Sequence, residues 1–141
     1  MILVGDEVRK GVSADLGFSI KDRTENIRRA GEAAKLLADQ GNIVLASFIS
    51  SIRQDRLAVR VLFKKDEFIE VYCNSSLESC RGRDVKGLYK KATLGRLSNF
   101  TGVDSIYEIP FAPEVTLKTD FFTIDVCVDT VITDLIKRGL A

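Results

Sequence analysis

The apolar positions of the chain fall into short continuous runs separated by segments with helical spacing. Ile2–Gly5 and Asn42–Ile49 are apolar runs without polar alternation, a pattern typical of strands covered on both faces in a parallel sheet. Glu67–Cys73 and Glu114–Leu117 are two further strand candidates. The pattern therefore predicts four short strands spread over the whole chain.

Helical spacing marks the segments between these runs. The longest, Asp22–Gln40, starts at a capping-box-like pair, Ser19 and Asp22. Gly41 follows it as a stop signal. The last helix begins after Thr123 and ends before Gly139. Its apolar residues form one stripe: Ile124, Cys127, Val128, Val131, Ile132, Leu135 and Ile136. The shorter predicted helices are Arg53–Phe63, Leu77–Arg81 and Lys86–Leu94.

Strands that alternate with helices predict an α/β fold with a mostly parallel sheet and right-handed crossovers. Ligands of such folds bind at the carboxyl ends of the strands. The residues that follow the predicted strands are therefore candidates for function: Gly5–Arg9, Phe48–Arg53 and the chain from Asn74 onward.

Composition narrows the class of protein. The 141 residues are 45% hydrophobic and 29% charged, which predicts a single globular domain over residues 1–141. The net charge of +1 argues against a nucleic-acid coat. No apolar run approaches the ~18–20 residues of a membrane-spanning helix, and the first five residues lead directly into acidic ones, unlike a secretory signal.

Histidine is absent, so histidine-based catalytic triads, metal sites and general bases are excluded. The three cysteines are an odd number without metal-ligand spacing. We expect them to be reduced thiols of a cytoplasmic protein, because intracellular disulfides are rare.

Two clusters of polar residues lie in the first quarter of the chain. Asp6 follows a strand, where a carboxylate holds a Mg²⁺-bound water or orients a hydroxyl, and Arg9 could clamp a phosphate or sulfate. Arg23 and Asn26 project from the first turns of one helix, where an anion could bind while Phe18 stacks on a base. The alternatives are a solvated turn and an amphipathic surface helix.

Two further clusters come later. Ile49 and Ser50 follow a buried strand, where a serine either meets a ligand or caps the next helix. Arg83–Lys91 and Asn99–Asp104 combine cations, glycines and aromatic residues, which suits a lid over a nucleotide. The alternative for this last pair of segments is a solvated basic helix.

The joint order of these clusters resembles the adenylylsulfate kinase family, over essentially the whole chain. The resemblance is carried by six motifs: Gly5-Asp6-x-Val8-Arg9-x-Gly11, Asp15-Leu16-Gly17-Phe18-Ser19, Asp22-Arg23-x-Glu25-Asn26-Ile27-Arg28-Arg29, Phe48-Ile49-Ser50, Lys86-Gly87-Leu88-Tyr89-Lys90-Lys91-Ala92 and Asn99-Phe100-Thr101-Gly102-Val103-Asp104-Ser105.

The resemblance implies a P-loop kinase that moves the γ-phosphate of ATP, as its Mg²⁺ complex, to the 3′-hydroxyl of adenosine 5′-phosphosulfate. The product is 3′-phosphoadenylylsulfate, formed in sulfate assimilation. The matching positions imply substrate-binding roles for Arg9, Phe18, Arg23, Asn26, Ile49, Ser50, Lys86, Asn99 and Phe100. Phe18 and Phe100 would sandwich the adenine. Asp6, Ser50 and Lys86 would be catalytic, with Asp6 near Mg²⁺ through water, and Cys127 would border the ATP base.

The family's Gly-x-x-x-x-Gly-Lys-Ser/Thr loop occurs nowhere in the 141 residues. We therefore expect a relative truncated at its N-terminus that lacks the first strand–P-loop–helix unit. Val4, Glu7, Lys10 and Ser51 also depart from the family's Asp, Asn, His and Pro. The alternative function is an inactive relative that binds the sulfonucleotide only or serves as a structural partner of an intact kinase. A homodimer is the expected assembly, without nucleic-acid or membrane partners.

Overall fold

The computed structural model describes residues 1–140, which form two compact units. Unit 1 comprises Met1–Lys64 together with Ile106–Ile109. Unit 2 comprises Lys65–Ser105 and the chain from Pro110 onward. The single domain expected over residues 1–141 stays a prediction. Among the described residues, no helix has both the length and the apolar composition needed to cross a bilayer.

Unit 1 contains two strands and three helices in the predicted alternation. They are β1 (Ile2–Val4), α1 (Gly5–Val8), α2 (Ile20–Asp39), β2 (Leu45–Ser47) and α3 (Arg53–Arg60). The two strands pair in parallel, with Ile2 opposite Leu45 and Val4 opposite Ser47.

Unit 2 also carries a parallel pair of strands. Its elements are β3 (Val71–Asn74), α4 (Leu77–Arg83), α5 (Leu88–Thr93), β4 (Val115–Lys118) and α6 (Ile124–Lys137). Val71 of β3 lies opposite Val115 of β4, and Val115 and Leu117 are buried core residues. The predicted α/β class with parallel pairing is confirmed, as two two-stranded sheets.

Helix α2 forms where its capping signals predict. The Ser19 hydroxyl accepts a hydrogen bond from the Asp22 amide at 3.1 Å, and Gly41 follows the helix with a φ of +81°. A positive φ is available to glycine without the steric penalty of a side chain. Ile27, Ala30 and Ala34, which recur at helical spacing, are buried, and Leu37 of the same face is half-buried.

The structure corrects two predictions in unit 1. Gly5–Val8 is a short helix rather than a solvated turn, and the carboxylates of Asp6 and Glu7 in its first turn suit the positive end of the helix dipole. All three residues of β2 are exposed, so the prediction of a strand covered on both faces is wrong for the described chain. Among the described elements, β2 packs mainly against its partner strand β1, while α2 packs on α3, so the faces of β2 stay exposed.

The α2–α3 contact depends on a glycine. A Cβ atom added to Gly31 would lie 2.6 Å and 2.9 Å from the two Cγ atoms of Val59, which is closer than van der Waals contact allows. Val59 is β-branched and stiff at χ1, so it does not rotate away freely. Only a residue without a side chain lets the two helices approach this closely.

We expect Gly31→Ala to destabilise the protein. Overpacking costs about 1–3 kcal/mol, and the gain in helix propensity offsets about 1 kcal/mol of it, so a net loss of up to about 2 kcal/mol is expected in urea unfolding. Gly82→Ala is the matched control, because Gly82 also lies in a helix but has open space around its Cα. That substitution should leave stability unchanged or raise it. Equal effects at both glycines would contradict the close-approach argument.

Candidate active site

The loop that ends at Phe18 is held by a cation from the end of α1. Arg9 places its guanidinium carbon 4.5 Å from the centroid of the Phe18 ring. Its Nη1 also donates a hydrogen bond to the Gly17 carbonyl at 2.8 Å. Arg9 therefore fixes the backbone of this loop and stacks on its aromatic ring, a cation–π arrangement.

A second cation reaches the same loop from α2. The Arg23 Nε donates to the Phe18 carbonyl at 3.0 Å. The Phe18 side chain is 56% exposed, so its ring has a surface available to a planar ligand. The predicted grouping of Arg9, Phe18 and Arg23 in one place is therefore present within unit 1.

Asn26 lies nearly one helical turn beyond Arg23 and is only 4% exposed. Its Oδ1 atom is buried and has no hydrogen-bond partner among the described residues. A buried carbonyl oxygen without a donor is costly, by about 1–3 kcal/mol. The role of Asn26 as a contact to the ligand stays a prediction.

The other two cations of the Arg23 motif have a structural role. Arg28 and Arg29 both bond to Glu25, and together they hold the pKa of that carboxyl down at about 2. Arg29 also contacts Asp15 at 2.6 Å, which ties the preceding loop to α2. These ion pairs hold α2 and the preceding loop together, whereas Arg9 and Arg23 contact Phe18 directly.

Ser50 lies in the segment between β2 and α3 with a φ of +38°, a left-handed conformation that is uncommon outside glycine. Ile49 beside it is 61% exposed. The alternative that a serine here caps α3 is wrong, because the N-cap residue is Ile52, which has no side-chain cap. The first amide of that helix, from Arg53, instead donates to the Glu108 carboxylate at 2.6 Å.

Asp6 is exposed in the first turn of α1. Within residues 1–140, no group of three or more His, Cys, Asp or Glu side chains could hold a metal ion. Mg²⁺ is commonly bound through one or two carboxylates together with substrate phosphates and waters. Asp6 alone fits that donor set, so any Mg²⁺ here would be carried mainly by a bound nucleotide.

Lys86, Asn99 and Phe100, the predicted residues of the lid motifs, lie in unit 2. Lys86 is exposed just before α5. The Asp104 carboxylate accepts hydrogen bonds from the backbone amides of Asn99, at 2.7 Å, and of Phe100. These two bonds fix a tight turn. The Phe100 ring meets Tyr89 edge to face, with centroids 4.9 Å apart.

All three cysteines are free thiols. Cys73 on β3 and Cys127 on α6 lie close enough to interact electrostatically. Burial raises the pKa of the Cys73 thiol, and Cys127 raises it further. The structure places Cys127 half-buried within α6 and leaves its predicted role at the ATP base a prediction.

Unit 2 contains two open cavities, of about 500 Å³ and about 290 Å³. The larger lies between β4 and α6, and the smaller lies beside Asp84 and Tyr89. None of the predicted site residues lines either cavity. We therefore identify the candidate site by the convergence of side chains at Phe18 rather than by cavity size.

Known proteins are similar to this chain in sequence and in fold. The sequence profile of the family described as adenylylsulphate kinase matches residues 1–118. The chain belongs to the adenylylsulfate kinase family. The adenylyl-sulfate kinase of Marinobacter nauticus is 54% identical over 139 residues, which are 99% of this chain and 70% of that protein. That of Acaryochloris marina is 53% identical, over 99% of this chain and 68% of that protein.

A solved structure agrees. The structure described as the Mycobacterium tuberculosis APS kinase CysC in complex with AMPPNP and APS matches with a TM-score of 0.90 and 43% identity. The match covers 96% of this chain and 79% of the mycobacterial chain. This family consists of kinases, and the chain shares their P-loop kinase fold. The alternative of an inactive relative finds no support among these kinases.

Some expectations stay predictions. The adenine sandwich by Phe18 and Phe100 and the cytoplasmic location were inferred from the sequence alone. Sequence reasoning missed Arg56 and Glu108, which contact the Ser50 segment. Their pairing spans more than 50 residues, and no local motif signals it.

Proposed function

We propose that the protein is an adenylylsulfate kinase, which transfers the γ-phosphate of ATP to the 3′-hydroxyl of adenosine 5′-phosphosulfate in sulfate assimilation. The observation that carries the proposal is that Arg9 stacks on the exposed Phe18 ring while Arg23 donates to the Phe18 backbone carbonyl, so both guanidinium groups lie at this residue. A sulfated nucleotide has a flat base and a charged tail. An aromatic face beside two guanidinium groups matches both parts.

Each residue of the site has a role in this proposal. Arg9, Arg23 and Asn26 contact the sulfonucleotide, and Phe18 stacks on its adenine. Ile49 and Ser50 lie beside the ribose, with Ser50 near the reacting hydroxyl, and Asp6 stands near Mg²⁺ and that hydroxyl. In unit 2, Lys86 meets phosphate charge, Asn99 and Phe100 complete the substrate contacts, and Cys127 borders the ATP base.

The chemistry suits such residues. Phosphoryl transfer needs positioning and neutralisation of charge more than covalent participation by the protein. Stacking on Phe18 orients the nucleoside, while the arginines neutralise its anionic tail. Mg²⁺, when bound with ATP, neutralises charge on the phosphates. The assembly expected from the resemblance is a homodimer.

Calorimetry and a turnover assay test the proposal separately. We expect the chain to bind adenosine 5′-phosphosulfate measurably. We expect it to bind ATP more weakly, because its 141 residues contain no Gly-x-x-x-x-Gly-Lys-Ser/Thr loop to cradle the phosphates. Formation of 3′-phosphoadenylylsulfate from both substrates tests the transfer itself. A chain that does not bind adenosine 5′-phosphosulfate, or that binds it and forms no 3′-phosphoadenylylsulfate with ATP, would contradict the proposal.

A further inference from the structure

The segment that carries Ser50 is held by a forked contact. Arg56, in α3, donates from Nη1 to the Ser50 carbonyl at 2.6 Å. Its Nη2 donates to the Glu108 carbonyl at 2.7 Å. One planar guanidinium therefore joins two backbone segments that are far apart in sequence but belong to the same unit.

A second set of bonds reinforces this contact. The Glu108 amide donates to the Ser51 carbonyl at 2.8 Å, and the Glu108 carboxylate accepts from the Arg53 amide. The Arg53 Nε donates to the Ile109 carbonyl at 2.8 Å. The segment Ile106–Ile109 thus braces the chain on both sides of the start of α3.

Ser50 needs such support. A non-glycine residue in the left-handed region costs on the order of 1–3 kcal/mol and persists only where its surroundings enforce it. Without an anchor on its carbonyl, Ser50 would relax to a negative φ. Its hydroxyl, and the exposed Ile49 side chain before it, would then turn to other directions.

We propose that Arg56 is a positioning residue that fixes the Ser50 hydroxyl for contact with the sulfonucleotide. The inference rests on the proposed function, which places Ser50 beside the ribose. Arg56 acts in it through the backbone and does not touch the substrate. A lysine cannot replace it fully, because an ammonium lacks the planar fork that reaches both carbonyls.

A thermodynamic cycle tests the inference by calorimetry with adenosine 5′-phosphosulfate. The four chains are the wild type, Ser50→Ala, Arg56→Ala and the double variant. Ser50→Ala keeps the carbonyl that Arg56 holds and removes only the hydroxyl. Loss of one neutral hydrogen bond lowers affinity about two- to tenfold, so each single variant should show a loss in this range. The double variant should lose no more than a single one.

Two further variants separate positioning from folding. Arg56→Lys keeps the charge and the aliphatic stem and should give an intermediate affinity, which checks the inference even if Arg56→Ala unfolds. Arg60→Ala removes the same charge from the same helix and should bind as the wild type. Urea unfolding of every chain shows which of them are folded at the assay temperature.

The outcomes are distinct. Losses that multiply in the double variant would mean that Arg56 acts independently of Ser50, and they would overturn the inference. So would an Arg56→Ala or Arg56→Lys chain that is folded and binds as the wild type does. If the wild type itself does not bind the sulfonucleotide, the proposed function fails, and this inference fails with it.

Discussion

Arg23→Ala should lower the affinity for adenosine 5′-phosphosulfate about 10- to 150-fold in calorimetry. A hydrogen bond to a charged group contributes about 1.5–3 kcal/mol, and the substitution also removes the bond from Nε to the Phe18 carbonyl. The bound tail thus loses a cation, and the aromatic loop loses one of its two anchors. Because the interaction is partly exposed, the difference from the wild type should shrink as salt rises from about 50 to 500 mM.

Arg28→Ala is the matched control for this loss. It removes the same side chain and the same charge from α2, but its partner is Glu25, at 2.8 Å. Exposed ion pairs of this kind contribute about 0–1 kcal/mol to stability, so binding should stay close to that of the wild type. Equal losses in the two variants would mean that binding responds to net charge alone, and the assignment of Arg23 would be wrong.

The local parts of the fold could be predicted because their signals are local. Helix α2 begins at a side-chain cap and ends before a glycine, and both features are visible in the sequence around Ser19 and Gly41. Helix α6 likewise follows its cap, Thr123, and its apolar stripe has helical spacing. The ends of the strands were predicted less accurately, since short apolar runs such as Asn42–Ile49 contain no stop signal.

Burial was predicted less well than helix position. The run around Leu45 reads as a strand covered on both faces, yet Leu45 is 54% exposed. Ile124 and Ile136 of the α6 stripe are 81% and 57% exposed. An apolar pattern indicates which residues favour burial, whereas the packing of other elements decides whether those residues are buried.

The candidate site was predictable only in part, for a related reason. Arg9, Phe18 and Arg23 lie within 15 residues and occur in family motifs, so their grouping could be expected. Arg56 and Glu108 are more than 50 residues apart, and their contact depends on backbone carbonyls, which sequence motifs do not encode. Contacts that fix the conformation of a loop are therefore the part of a site that sequence reveals last.

Phe18→Ala should lower the affinity for adenosine 5′-phosphosulfate about 5- to 150-fold, because stacking of a base on an aromatic ring contributes about 1–3 kcal/mol. The substitution also removes the ring that lies 4.5 Å from the Arg9 guanidinium. Unlike the effect of Arg23→Ala, this loss should be nearly independent of salt, since stacking involves no net charge. Calorimetry at low and high salt compares the two variants directly.

Phe18→Tyr and Phe121→Ala are the controls that make this loss interpretable. The tyrosine keeps an aromatic face in the same position and should retain most of the affinity. Phe121 is 81% exposed in the turn before α6, and its removal tests the general effect of losing a surface aromatic ring. A Phe18→Ala chain that binds as tightly as these controls would show that the base stacks elsewhere. The contacts that Arg9 and Arg23 make at Phe18 would then stabilise the loop without contributing to binding of the base.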